Sequence, residues 1–189
     1  MKTKENENNY AIWQNRAFHF YLGARLLYLN RHIVTAAFCA QQSIELMLKA
    51  TLLYHDKSFV PEAVGHGFRR MLNTLKNKVK NSGAVNIPEY FYYDCQYQSF
   101  TRYPSNKEGL FLPDNLLDDL DKCFYDLLVL VPYQWDTLLV KTLLNNERLK
   151  KKLNTLIRKN QQIRNIRNYL KKCDQNITLT SSGLATARR

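Results

Sequence analysis

Apolar residues recur at three- and four-residue steps along most of this chain, which is the spacing of helices with one buried face. The pattern predicts a first helix from about Asn8 to Asn30 and a second from Ile33 to about His55. Because the turn between them is short, the two helices are expected to lie antiparallel and side by side. Strand-like alternation does not persist beyond a few residues. The sequence therefore predicts an all-α protein built as an antiparallel helical bundle.

The second helix carries the clearest stripe of buried positions. Small residues occupy one end of this stripe and bulky residues the other, so a neighbouring helix can approach closely at the small end. Glu45 and Lys49 lie one turn apart with the acid first, an order that adds a few tenths of a kcal/mol, roughly, to helix stability. The members of the stripe are Ala36, Ala40, Ser43, Ile44, Met47, Leu48, Thr51 and Leu52.

A third helix is expected from about His66 to Lys80, after a loop that contains Pro61 and Gly65. Its predicted buried stripe is Phe68, Met71, Leu72, Leu75 and Val79.

The region from Asn81 to Pro113 is expected to be a long irregular connection rich in aromatic residues. A fourth helix follows, for which Asp114 is the expected cap. Asp118, Asp119 and Asp121 then place negative charge near the positive end of the helix dipole.

The last part of the chain predicts a separate element. Pro132 ends or kinks the fourth helix, and positions from Leu149 to Leu170 then alternate four- and three-residue steps, which is heptad spacing. The predicted organisation is a helical bundle over residues 1–131, a long basic helix over 132–172 and a polar, disordered tail over 173–189.

The positive charge is concentrated in that basic helix. The whole chain has a formal net charge of +12, with 28 Lys/Arg and 16 Asp/Glu. Residues 147–172 contribute 10 Lys/Arg against 1 Asp/Glu, whereas residues 1–146 contribute 16 against 14. A field concentrated on one element favours an anionic partner more strongly than the same charge spread over the surface.

Three short motifs occur in the order expected of one known family. Gln41, Gln42, Glu45 and Lys49 fall on the second helix, Gly65-His66 opens the third, and Arg102-Tyr103-Pro104 lies in the aromatic connection. Over roughly residues 8–131 this pattern resembles the HEPN domain (higher eukaryotes and prokaryotes nucleotide-binding). The resemblance implies a helical bundle that usually dimerises and is linked to RNA cleavage, nucleotide binding or partnership with a nucleotidyltransferase.

The resemblance also implies where RNA-cleaving members carry their site: an Arg with a His four to six positions beyond it, on a late helix. No histidine follows His66 in this chain, and the nearest late sequence, Arg164 to Tyr169, has Tyr where His is needed. A phenol is a poor substitute for imidazole as a base near neutral pH. The sequence therefore favours binding without bond cleavage, and catalysis through this motif is not expected.

Four other residues are weaker candidates. Arg25 and His32 form an early Arg–His pair, for which an exposed Arg and a turn His is the favoured interpretation. His66 is expected to cap or pack against the bundle, since a catalytic role requires a partner that the sequence does not identify. Tyr103, next to Arg102, lies in a connection that either folds onto the bundle or presents rings and a cation to RNA.

The basic helix supplies the main candidates for nucleic-acid binding. The alternatives are a solvated helix packed on its own bundle, a phosphate-binding surface, and a surface for an acidic protein partner. Together with Arg102, the candidate residues are Lys150, Lys151, Lys152, Arg158, Lys159, Arg164 and Arg167.

The cysteine spacing and the terminal sequences limit the remaining classes of protein. Cys39, Cys95, Cys123 and Cys173 are far apart and lack the spacing of a zinc site, so they predict reduced thiols, with no metal and no cofactor. No signal peptide or spanning segment is expected, which predicts a soluble cytoplasmic protein without membrane contact.

The interpretation favoured by the sequence is a HEPN-like protein that binds RNA or a nucleotide without cleaving it, as a homodimer and as part of a toxin-antitoxin or defence system. The alternative is a module that docks an acidic partner such as a nucleotidyltransferase. A third is an RNase that uses residues outside the usual motif.

Overall fold

A computed structural model of the chain describes residues 9–91 and 115–132, with Asn168 as a single further residue. Two compact units, Met1–Trp135 and Asp136–Arg189, divide the chain, and all described residues except Asn168 belong to the first. These residues contain no strand, so the all-α prediction is confirmed. The elements are α1 (Asn9–Leu29), α2 (Ile33–His55), α3 (Pro61–Val64), α4 (Phe68–Lys78), 3-10 turns at Ser82–Ala84 and Glu89–Phe91, and α5 (Leu116–Leu128).

Helices α1 and α2 pack along each other in antiparallel directions. Near one end of the pair, the ring of Tyr10 meets that of Tyr54 edge-on, with centroids 5.1 Å apart. Towards the other end, a Cβ atom placed on Gly23 would lie 4.0 Å from Cys39 Sγ. Alanines that are completely buried on both helices allow the backbones to approach closely: Ala17, Ala24, Ala36, Ala37 and Ala40.

The buried stripe predicted for α2 is confirmed in full. All eight of its members are buried, and the bounds of α2 agree with the predicted helix. No helix within the described ranges combines the length and hydropathy that crossing a bilayer requires.

The segment before α4 differs from the expected loop. Residues Pro61–Val64 form the short helix α3, because proline at the first helical position has its backbone already close to helical geometry. Helix α4 then begins at Phe68 instead of His66, since Gly65 adopts a positive φ of 56° and Gly67 has a non-helical ψ of 71°. The predicted stripe is buried at all five positions, although α4 ends at Lys78 and the last member, Val79, follows it with an extended backbone.

Helix α5 completes the described core. It begins at Leu116, so Asn115 occupies the N-cap position and the prediction of Asp114 as the cap was wrong by one residue; Asp114 itself lies outside the described residues. The ring of Phe124 stacks on Tyr21 of α1, with centroids 4.4 Å apart and planes at 18°. Phe18, also on α1, contacts the same Phe124 ring at 6.0 Å.

The two described cysteines are free thiols, as predicted, whereas Cys95 and Cys173 lie outside the described residues. Cys123 is buried on α5 and its Sγ donates to the carbonyl oxygen of Asn86 at 3.3 Å. Burial, reinforced by the nearby carboxylates of Asp119 and Asp126, raises the pKa of the Cys123 thiol to about 12.

Cys123 should therefore resist alkylation in the native protein. At pH 8 only about one thiol in 10⁴ with such a pKa is ionised, and the thiolate is the reactive form. We expect iodoacetamide treatment followed by peptide mass spectrometry to leave Cys123 unmodified in buffer and modified in urea. Modification of Cys123 at similar rates in both conditions would contradict its burial.

Candidate functional site

The charged residues of α2 are buried beneath the surface of the bundle. Glu45 and Lys49 are 1% and 6% exposed. Because they lie one helical turn apart, Lys49 Nζ reaches Glu45 Oε1 and donates to it at 2.7 Å. A pair on the helix surface adds a few tenths of a kcal/mol, roughly, but removing one partner of a buried pair costs about 3–5 kcal/mol. The pair is therefore a fixed part of the core.

His66 joins this buried pair from the surface. Its Nδ1 lies 2.9 Å from Oε2 and 3.0 Å from Oε1 of Glu45. The His66 side chain is 53% exposed, whereas the Glu45 side chain is 2% exposed. Among the described residues, Glu45 is the one hydrogen-bond partner of the His66 ring, while the His66 carbonyl accepts from Phe68 N–H at 2.8 Å. One nitrogen of the imidazole is thus held by a buried carboxylate, while about half of the side chain is exposed to solvent.

An aromatic ring completes the cluster. Lys49 Nζ lies 5.4 Å from the centroid of the Trp13 ring on α1, within the range of a cation–π interaction. The Lys49 ammonium is therefore occupied on two sides, by Glu45 and by Trp13. We call Trp13, Glu45, Lys49 and His66 the His66 cluster.

The exposed residues of helix α4, which follows His66, are strongly basic. Residues 66–80 contain five Lys/Arg and no Asp/Glu: Arg69, Arg70, Lys76, Lys78 and Lys80, all of them exposed. Arg69, Asn73 and Lys76 recur at four- and three-residue steps and so share one side of the helix. Lys78 is bonded to Asp56 Oδ2 at 2.6 Å. We use the name α4 basic face for these five cations together, of which Arg69 and Lys76 share one side of the helix and Lys78 lies on the opposite side.

Two of these cations lie where they oppose the helix dipole. Arg69 and Arg70 are in the first turn of α4, which has no acidic residue. A cation at the positive end of a helix is unfavourable by about 0.3–1 kcal/mol. In contrast, the first turn of α5 carries Asp118 and Asp119, the stabilising arrangement. Stability of α4 alone does not explain this placement of charge.

The side chain of Arg25 is buried, contrary to the expectation from the sequence. It is 3% exposed, and its Nη1 donates to Asp121 Oδ1, which also accepts from Tyr21 Oη at 2.8 Å. Burial raises the pKa of Asp121, although Arg25 opposes that rise, and burial also holds the pKa of Tyr21 well above its usual range. Asp121 therefore joins α5 to α1 and is not a dipole-compensating surface residue.

The early Arg–His pair is not assembled as a site. His32 is exposed at the turn between α1 and α2, and no hydrogen bond among the described residues joins it to Arg25. His66 does not cap α4 with its side chain, because Gly67 occupies the N-cap position. The His66 ring instead contacts Glu45 of α2, a partner that the sequence did not identify.

The other predicted candidates lie outside the described residues. They are Arg102 and Tyr103 in the aromatic connection and Lys150, Lys151, Lys152, Arg158, Lys159, Arg164 and Arg167 in the predicted basic helix.

A charge count over residues 1–146 did not reveal the α4 basic face, because acidic residues elsewhere in that range offset its five cations. A count in short windows would have found five Lys/Arg and no Asp/Glu within fifteen residues.

The comparisons with known proteins agree with the helical architecture. The family model described as HEPN domain matches residues 10–128, which is more than half of the chain. Searches of curated proteins and of solved structures each found no match. The chain therefore belongs to the HEPN domain family, a membership that points to an RNA-related or nucleotide-binding function.

Proposed function

We propose that this HEPN protein binds RNA through its basic surfaces and does so without cleaving it. The observation that carries the proposal is the α4 basic face: residues 66–80 contain five cations and no acidic residue, and one of the five, Lys78, is paired with Asp56. Lys and Arg that neutralise phosphates supply most of the affinity in sequence-independent binding of nucleic acid. Residues 147–172, with 10 Lys/Arg against 1 Asp/Glu, are a second cationic segment of the sequence.

The length of the α4 basic face favours a polymer over a mononucleotide. Helix α4 has 11 residues, so it is about 16 Å long at a rise of about 1.5 Å per residue. A nucleic-acid strand carries one phosphate per about 3.4 Å of duplex axis, so several phosphates can lie along a helix of this length. A mononucleotide presents its negative charge at one place only.

The proposal predicts that removing charge from α4 weakens RNA binding. In the double variant Arg70→Gln/Lys76→Gln we expect affinity for a labelled single-stranded RNA to fall about 25-fold at 0.1 M salt, since each phosphate contact contributes about fivefold there. The slope of log affinity against log salt should decrease by about 1.4. Fluorescence anisotropy over a salt series measures both quantities.

The matched control is Arg16→Gln/Arg31→Gln, which removes the same charge from exposed positions on α1 and the following turn. An equal loss in the two variants would show that net charge, not the α4 basic face, drives binding. A third variant, with Lys150, Lys151 and Lys152 replaced by Glu, measures how much the predicted basic helix contributes to RNA affinity.

Gel analysis of RNA from the same tubes tests the non-catalytic part of the proposal. Cut products above those of a mock-purified control, lost on His66→Ala, would contradict it and favour an RNase that uses residues outside the usual motif. Absence of both binding and cleavage would overturn the proposal in favour of an acidic protein partner.

A further inference from the structure

We infer that His66 distinguishes RNA from DNA by accepting a hydrogen bond at Nε2 from a ribose 2′-hydroxyl, with buried Glu45 as the positioning residue that fixes the tautomer. This inference rests on the RNA binding proposed above and names the atom that would make that binding selective for ribose.

The tautomer follows from the surroundings of Glu45. Lys49 Nζ donates to Glu45 Oε1 at 2.7 Å, so the acid faces an ammonium group and acts as a carboxylate. An ionised carboxylate only accepts hydrogen bonds. His66 Nδ1, at 2.9 and 3.0 Å from the two carboxylate oxygens, must therefore carry the proton. In the neutral ring this leaves the lone pair on Nε2.

The charge balance of the His66 cluster suits a surface that meets phosphates. A lone buried carboxylate beneath the site would repel an RNA strand. Lys49 neutralises Glu45 directly and is itself held against the Trp13 ring. The cluster can therefore orient the imidazole without adding net negative charge below it.

The position of His66 in the chain links it to the α4 basic face. It lies three and four residues before Arg69 and Arg70, which are exposed in the first turn of α4. Phosphate contacts hold and orient a strand but do not distinguish sugars. The 2′-hydroxyl, which can donate a hydrogen bond, is the group by which proteins distinguish RNA from DNA. A hydrogen-bond acceptor within one helical turn of two cations along the chain can supply that distinction.

The test compares three labelled oligonucleotides of one sequence at pH 8: RNA, DNA and 2′-O-methyl RNA. We expect the wild-type protein to bind RNA about three- to tenfold more tightly than either of the others, the gain typical of one hydrogen bond. The methylated strand is the matched control, because it keeps an oxygen at the 2′ position but cannot donate.

In His66→Phe the preference for RNA should disappear while the salt dependence of binding stays as in the wild type. His66 is largely exposed, so this variant is expected to fold. Retention of the preference in His66→Phe would overturn the inference.

A second measurement reads the tautomer directly and needs no substitution. Nitrogen chemical shifts of the His66 ring in the ¹⁵N-labelled protein should show the proton on Nδ1 at pH 8, and a proton on Nε2 would overturn the inference.

In Glu45→Gln, the amide N–H can donate to Nδ1 and shift the proton to Nε2, so the RNA preference should be lost. Circular dichroism checks that this variant remains folded.

The outcomes separate this inference from the proposed function. Equal, salt-sensitive affinity of the wild-type protein for RNA and DNA would leave RNA binding standing and overturn the role of His66. Absence of binding to every strand would overturn both.

Discussion

Replacement of Arg25 by Met should lower the free energy of unfolding by about 3–5 kcal/mol, because it leaves the carboxylate of Asp121 buried without its cation. Asp121 is completely buried and Arg25 almost so. Urea denaturation followed by circular dichroism measures the change. Arg16→Met, the same substitution at an exposed position of the same helix, should change stability by less than about 0.5 kcal/mol.

The loss in Arg25→Met should depend on pH. Burial already raises the pKa of Asp121, and removal of Arg25 takes away the main opposing effect. When the folded-state pKa of an acid exceeds its unfolded value, the folded protein holds a proton that the unfolded chain has released. Stability then falls as pH rises through that window. We therefore expect a smaller loss at pH 5 than at pH 8.

A compensating variant separates the charge from the packing. Arg25→Met/Asp121→Leu/Tyr21→Phe removes all three polar groups, and similar replacements of buried ion pairs by apolar residues are often neutral or stabilising. It should be more stable than Arg25→Met alone. A loss in Arg25→Met as small as that in Arg16→Met would show that the ion pair is not buried in solution.

Truncation of Phe124 to Ala is expected to cost about 3–5 kcal/mol, the range for a large buried aromatic residue. The Phe124 side chain is completely buried and stacks on Tyr21 at 4.4 Å, so its loss leaves a cavity between α5 and α1. Phe124→Leu keeps much of the volume and should cost less than about 1.5 kcal/mol. Urea denaturation again gives both values.

Tyr125→Ala provides the comparison for Phe124, since it removes a half-exposed aromatic ring from the next position of α5. We expect it to cost clearly less than Phe124→Ala. If the two truncations cost the same, α5 does not pack on α1 through the face that contains Phe124.

Local periodicity was sufficient to predict the buried faces. The stripe of α2 and that of α4 are regular three- and four-residue patterns, and burial of the members that lie within these helices follows from helix geometry alone. The start of α4 was less accurate, because the backbone at Gly65 and Gly67 departs from helical values in a segment whose sequence alone also permits a helix.

The polar contacts could not be predicted because they join distant parts of the chain. Glu45 and His66 are 21 residues apart, and Arg25 and Asp121 are 96 apart. Each residue alone has an ordinary surface interpretation, since charged side chains are mostly exposed unless they are paired. Their pairing depends on how α2 meets α4 and how α1 meets α5, which a pattern along one helix does not contain.

The unfavourable charges in the first turn of α4 connect ligand affinity with the stability of that helix. An anion bound near Arg69 and Arg70 would relieve their repulsion from the helix dipole, so part of the binding energy would appear as stabilisation of α4. The converse also holds. An acidic substitution in this turn would stabilise the free protein. The same substitution would lower its affinity for anions, so stability would increase at the expense of binding.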